Sequence, residues 1–367
     1  MTIIPNKRFY YTCARNLTHW YKIYKRDLPW RHTRDPYAVL VSELMLQQTQ
    51  VERVKKYFSK WMERFPTLKD LAATNEEQVI ELWQGLGYYN RARNLYKTAQ
   101  LLIKQGHESL PADPTQLSRL PGLGPYTVGA ICSIAFDMPI PAVDGNVRRV
   151  FSRLLDLESD PSQKEGSNLI SQTVKHILLI GAPAILTQAF MELGATICIP
   201  GTLPRCADCP VAEICTASKN GTCAQRPVTA HRVKITRRNG AALLLGDETA
   251  GWIVRKRLKG GLWSDFFEIP WLMGNDGDDY QACLHRLCIQ DEISAVCTDT
   301  GLVEKLNFTR WQIQMRLFVA PAQQVYDSAR QIRAEEFCSI PMPAGLKRLV
   351  LKYFASSNQL ALFPQKK

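Results

Sequence analysis

The chain has 367 residues, 46% hydrophobic and 22% charged, which is too apolar for a disordered chain and, at roughly 150 residues per domain, long enough for two domains. Its 46 Lys and Arg against 34 Asp and Glu leave a net charge of +12, a balance that points to a polyanionic partner, nucleic acid first. No run approaches the roughly 20 apolar residues of a membrane span, and no apolar segment follows Lys7 and Arg8 as a secretion signal requires, so a cytoplasmic protein is expected.

From residue 9 to residue 193 the apolar spacing is helical. Apolar residues recur every three or four positions over 9–26, and Pro36 opens a long amphipathic run that continues to residue 62. Further helices are predicted over 76–83, 90–104, 127–136, 147–156, 167–180 and 183–193. Leu110-Pro111, Leu120-Pro121-Gly122, Pro139, Pro141 and Gly181 punctuate them. Residues 217–234 are polar, basic and without helical period, which predicts a linker. Beyond it, short strands are predicted over 241–245, 252–255, 301–307 and 312–320, and helices over 280–290 and 345–354. The expected architecture is a mainly α body over 1–225, a basic linker over 226–235, and a small α+β domain over 236–367.

Of eleven cysteines, Cys198, Cys206, Cys209 and Cys215 fall within eighteen residues. A secreted disulfide framework would spread its cysteines along the chain. Compact thiolate ligation suits a structural zinc or a [4Fe–4S] cluster, and the spacing alone does not choose between them. Either group would fix the loop that carries Arg205.

Leu120-Pro121-Gly122-Leu123-Gly124-Pro125 joins two helical segments. Gly122 and Gly124 permit positive φ and leave backbone amides bare, and Pro125 opens a helix whose N-terminus carries the positive end of its dipole. Such a hairpin can hold a phosphate. About twenty residues later comes Val143-Asp144-Gly145-Asn146-Val147-Arg148-Arg149.

The helical body, the hairpin, the Asp144 loop and the terminal cysteines, in that order, resemble the endonuclease III superfamily of helix–hairpin–helix DNA glycosylases. Within it, Ser42-Glu43-Leu44-Met45-Leu46-Gln47-Gln48-Thr49-Gln50-Val51 resembles the signature of adenine DNA glycosylases of the MutY type, as do Leu28-Pro29-Trp30-Arg31 and Gln84-Gly85-Leu86-Gly87-Tyr88-Tyr89. The resemblance implies excision of adenine opposite 8-oxoguanine or guanine in duplex DNA, by a monomer holding a [4Fe–4S] cluster on Cys198, Cys206, Cys209 and Cys215. It makes Glu43 the acid that protonates the base and manages the water, and Asp144 the stabiliser of the cationic sugar. Asn146 orients Asp144, and Tyr126 is a polar contact in the pocket. Arg26, Leu28, Trp30, Arg31 and Gln188 border the flipped adenine, while Leu46, Gln48 and Tyr88 fill the gap it leaves. A glycosylase for thymine opposite guanine, or a non-catalytic lesion binder, are the alternatives; retention of both carboxylates tells against the second.

The two carboxylates need different environments. Val39, Leu40, Leu44 and Leu46 surround Glu43 in sequence, so burial is expected to raise its pKa. Asp144 precedes a helix start, where capping amides are expected to keep it ionised. No lysine lies between Gln105 and Ser162, so the amine nucleophile of strand-cutting relatives is missing and hydrolysis alone is expected.

In the C-terminal part, Gly260-Gly261-Leu262-Trp263 with Phe267-Glu268-Ile269-Pro270 resembles a segment of Nudix-like domains, but residues 274–293 hold no Arg-Glu-rich metal-binding run. Nucleotide hydrolysis is therefore not expected, and the resemblance to adenine DNA glycosylases implies a lesion-recognition role, with Phe308 and Thr309 as contacts. Phe308-Thr309-Arg310 stands where the family has Phe-Ser-His, and the first cysteine spacing is one residue longer than the family's.

Overall fold

The computed structural model describes residues 5–201, 204–228, 235–257, 266–308, 310–322 and 329–356. The chain divides into two compact units, Met1–His231 and Arg232–Lys367.

The first unit is helical: α1 (Lys7–Tyr24), α2 (Pro36–Leu46), α3 (Val51–Arg64), α4 (Leu68–Ala73), α5 (Glu76–Trp83), α6 (Asn90–Lys104), α7 (Pro114–Ser118), α8 (Pro125–Ile134), α9 (Gly145–Leu154), α10 (Lys164–Ile180), α11 (Pro183–Thr196) and α12 (Thr216–Lys219). The short helices α4, α7 and α12 are absent from the sequence-based expectation, because a helix of a turn or so carries too little periodicity to read.

The long run expected over 36–62 is instead two helices. Asp35 caps α2, accepting from the amides of Tyr37 and Ala38, with Pro36 in the first turn. Nine of its eleven residues are buried, so α2 is apolar all round, as a helix enclosed in a core must be. Gln48 then adopts φ +56 and breaks the run. After it α3 is amphipathic, burying Val54, Phe58 and Trp61 along one stripe.

Two cores fill this unit. Helices α2, α3, α5, α6 and α8 enclose one. In it Trp61 packs edge-on against Trp83 at 5.4 Å, and its indole donates to Tyr37, whose hydroxyl donates to the Phe65 carbonyl. Burial of each such side chain is worth about 1.5–3 kcal/mol. Helices α1, α9, α10 and α11 enclose the other, together with Val211, Cys215 and Ala217. Met191 of α11 packs against both.

Residues 217–226, the start of the polar, basic stretch, are folded onto this unit. Arg226 is buried and paired with Asp156 at 2.7 Å. Asn220 and Thr222 also bond to Asp156, at 2.9 and 2.7 Å.

The second unit is a mixed sheet of β1 (Thr236–Asp247), β2 (Gly251–Lys256), β3 (Phe267–Glu268), β4 (Trp271–Met273), β5 (Thr298–Phe308), β6 (Trp311–Ala320) and β7 (Ala329–Ile332), with helices α13 (Tyr280–Gln290) and α14 (Ala344–Ser356). Strands β1 and β6 run parallel in register from Thr236↔Trp311 to Leu245↔Ala320. The central strand β1 feeds both faces: Ala242 and Leu244 face the core closed by α14, while Ala241, Leu243 and Leu245 face that closed by α13. That is why its sequence reads as a continuous apolar run. Residues 260–263 of the Nudix-like motif lie outside the described residues. Glu268 is buried, and its oxygens accept from Arg255, Arg257 and the Trp271 indole.

Candidate active site

The two carboxylates singled out in the sequence come from opposite cores. Glu43 lies on α2, which packs against α8, and is 5% exposed. The Tyr126 hydroxyl, in the first turn of α8, donates to Glu43 Oε2 at 2.5 Å. Burial pushes the Glu43 carboxyl up to about 7; the Tyr126 bond opposes that shift and the negative charge of Asp144 adds to it. The same burial, with Glu43 beside it, holds the Tyr126 phenol well above its ordinary value.

Asp144 is the N-cap of α9. It accepts from the Val147 amide at 2.7 Å and from Asn146 Nδ2 at 3.1 Å. Burial pushes its pKa up, and the bonds from Val147 and Asn146 only resist that push. Asn146 is fixed in turn, because Arg149 Nη2 donates to its Oδ1 at 2.9 Å. The glycine at 194 in α11 makes room for this loop, since a Cβ there would lie 2.7 Å from that of Asn146.

Both carboxylates open on one cavity of ≈ 720 Å³, also lined by Arg26, Leu28, Trp30, Arg31 and Gln188. Glu192, wholly buried on α11, organises that wall. Arg26 grips it through Nε and Nη2, both at 2.8 Å, and Arg31 Nη2 reaches Oε2 at 2.6 Å. Burial alone would raise the Glu192 carboxyl, but these bonds hold it down to about 2. Gln188 has both ends of its amide engaged, by the Tyr21 hydroxyl and the Ala184 carbonyl. Trp30 is a core residue as well as a wall, packed edge-on to Phe58 at 5.7 Å.

Leu46 and Gln48 stand at the end of α2 on the same cavity, whereas Tyr88 is 63% exposed outside its lining. Gln48 and Tyr88 both have left-handed backbones, at φ +56 and +48, a conformation that non-glycine residues hold only when their surroundings impose it. Buried Arg91 on α6 imposes it on both. Its guanidinium donates to the carbonyls of Leu44, Met45 and Gln47 on one side and of Leu86 and Gly87 on the other, and lies over the Tyr88 ring.

The hairpin joins α7 to α8 outside that cavity. Gly122 has φ +76, and a Cβ there would strike Asn94. Gly124 has extended backbone and serves as the N-cap of α8.

The four cysteines line a small apolar chamber with a fifth, Cys223. Arg153 of α9 reaches it, donating to Cys198 Sγ at 3.4 Å and to the carbonyls of Ile199 and Gly201. Among the described residues no three His, Cys, Asp or Glu side chains form a site for one metal ion. Arg205 pairs with Asp208 at 2.8 Å.

In the second unit Phe308 and Trp311 face each other where β5 turns into β6, and the Arg310 guanidinium lies 4.9 Å from the Trp311 ring centre. Thr309 lies outside the described residues.

Sequence reasoning missed Arg91, Arg149, Glu192 and Cys223. Only Arg149 carried a local signal, in the Asp144 motif. The others act on residues remote in sequence.

A family profile described as HhH-GPD superfamily base excision DNA repair protein matches residues 41–176, the stretch holding Glu43, Tyr126 and Asp144. Adenine DNA glycosylase of Rattus norvegicus is 45% identical over 55% of this chain, and the human protein of that name 44% over 55%. The chain spans only 41% and 38% of their lengths. That of Buchnera aphidicola subsp. Schizaphis graminum is 31% identical over 71% of this chain and 75% of its own length. Among solved structures, a thermostable thymine-DNA glycosylase superposes with a TM-score of 0.52 at 26% identity, over 58% of this chain and 98% of that one. Likeness over three quarters of a relative's length, with both carboxylates on one cavity, makes the chain a member of the adenine DNA glycosylase family.

Proposed function

We propose that this protein removes adenine paired with 8-oxoguanine or guanine in duplex DNA by hydrolysing its N-glycosidic bond, without cutting the strand. The observation that carries this reading is Glu43: a buried carboxyl raised to about 7, bonded to Tyr126, on a cavity that also holds Asp144. At neutral pH a large share of such a carboxyl is protonated and can give its proton to the departing base; as carboxylate it can then accept one from water. Asp144 supplies negative charge to the sugar cation that develops, and Asn146 and Arg149 keep it aimed. The absence of a lysine between Gln105 and Ser162 supports hydrolysis over amine attack.

A base within a duplex cannot reach these groups, so the adenine is extruded into the cavity. Leu46, Gln48 and Tyr88 take up the gap, Arg26, Leu28, Trp30, Arg31 and Gln188 surround the base, and the Gly122–Gly124 hairpin binds backbone phosphate. Phe308 and Thr309 in the second unit read the opposite base. Cys198, Cys206, Cys209 and Cys215 hold a [4Fe–4S] cluster. The donor chemistry fits: all four groups are thiols on an apolar wall beside the buried Arg153 cation. The cluster ties down the loop after α11.

Single-turnover base release tests this on duplexes with A opposite 8-oxoguanine, A opposite guanine and T opposite guanine, each with and without alkali. Adenine release, with strand breaks only after alkali, is expected. Thymine release alone, or binding without release, overturns it.

A further inference from the structure

Cys223 is the fifth cysteine of the chamber, outside the Cys198–Cys215 group. After Cys215 the chain forms α12, turns at Gly221 and comes back, leaving Cys223 Sγ 4.0 Å from Cys206 Sγ. This return is held by several independent bonds. Asp156 accepts from Asn220 at 2.9 Å and Thr222 at 2.7 Å and pairs with Arg226, while the Thr222 amide donates to the Ala217 carbonyl. Arg153 Nε donates to the Cys223 carbonyl at 3.0 Å while its Nη1 donates to Cys198 Sγ. One buried guanidinium thus bonds both the Cys198 thiol and the backbone of Cys223. Cys206 and Cys223 are both half-buried, in contrast to buried Cys215. The chamber therefore offers five thiols for four positions, with the Cys223 thiol 4.0 Å from that of Cys206.

We propose that Cys223 is a reserve ligand for the group held in this chamber, taking the position of Cys206 when that bond is lost. The inference rests on the reading that the chamber holds an iron–sulfur cluster. In the exchange the Cys223 thiol gives its proton to water as its sulfur–iron bond forms. The Cys206 sulfur leaves the iron and takes up a proton. No electron is transferred, and no oxidant or reductant is needed.

The test compares iron and sulfide content and visible cluster absorbance in wild type, C206S, C223S and C206S/C223S, purified alike. Each single variant is expected to stay within about twofold of wild type, and the double variant to fall about tenfold or more. C206S as empty as the double variant overturns the proposal. Wild type without iron overturns instead the reading on which it rests. If C206S does not fold, C223S carries the test through release of iron to a chelator. Release about tenfold faster than from wild type is expected, because a position once vacated is not refilled, and equal rates overturn the proposal.

Discussion

The hydroxyl of Tyr126 and the carboxylate of Glu43, 83 residues apart in sequence, meet in a 2.5 Å hydrogen bond that closes α8 onto α2. The bond favours the ionised carboxylate while burial favours the neutral acid. Burial wins, and Glu43 titrates near 7.

That raised value has a consequence for stability. Between pH 4.5 and about 7 the folded protein holds a proton that the unfolded chain has released, so this contribution is full below pH 4.5 and lost as pH rises through about 7. Glutamine does not titrate. Thermal melts of Glu43→Gln should therefore gain on wild type across that interval, by on the order of 3 kcal/mol, and level off above it. A gap independent of pH would contradict the raised pKa.

Asp144 is both a cap and a proposed catalytic group, and one substitution separates the two. Asparagine caps a helix as well as aspartate does, so Asp144→Asn should melt close to wild type. Base release should slow about a hundredfold or more, with duplex affinity kept. Equal losses of affinity and turnover would leave Asp144 only its cap.

Glu192 neutralises two guanidinium groups on the cavity wall. Held down to about 2, its carboxylate stabilises the fold above pH 4.5 and loses that effect as pH falls toward 2. Glu192→Gln should cost about 3 kcal/mol at pH 7 in denaturant titrations, and the cost should shrink in acid. A deficit unchanged at pH 3 would mean that packing, not charge, is the loss.

Arg91 serves five backbone carbonyls at once. Arg91→Ala should cost about 3 kcal/mol or more, and Arg91→Lys, which keeps the charge without the planar fork, should recover only part of it. Amide hydrogen exchange should quicken at residues 46–49 and 85–88 together. Acceleration confined to one loop would show that Arg91 does not couple them.

What is local was legible in the sequence. Proline and glycine punctuation placed most helices of the first unit. Asp144 reads as a cap because a cap needs only the three residues after it, and Glu43 reads as buried because its helix is apolar on every side. The continuous apolar run of β1, the hairpin and the cysteine cluster are likewise short-range patterns. The break at Gln48 is different. No glycine or proline stands there, and the run over 36–62 scans as one helix. It ends at Leu46 because Arg91, more than forty residues away, gathers the carbonyls of Leu44, Met45 and Gln47, which a continuing helix would have used for its own bonds. Glu192 bonded to Arg26 and Arg31, and Cys223 returned to Cys206, are decided in the same way. Each joins polar groups whose affinity is for charge and geometry rather than for neighbours in the chain, so folding alone brings them together.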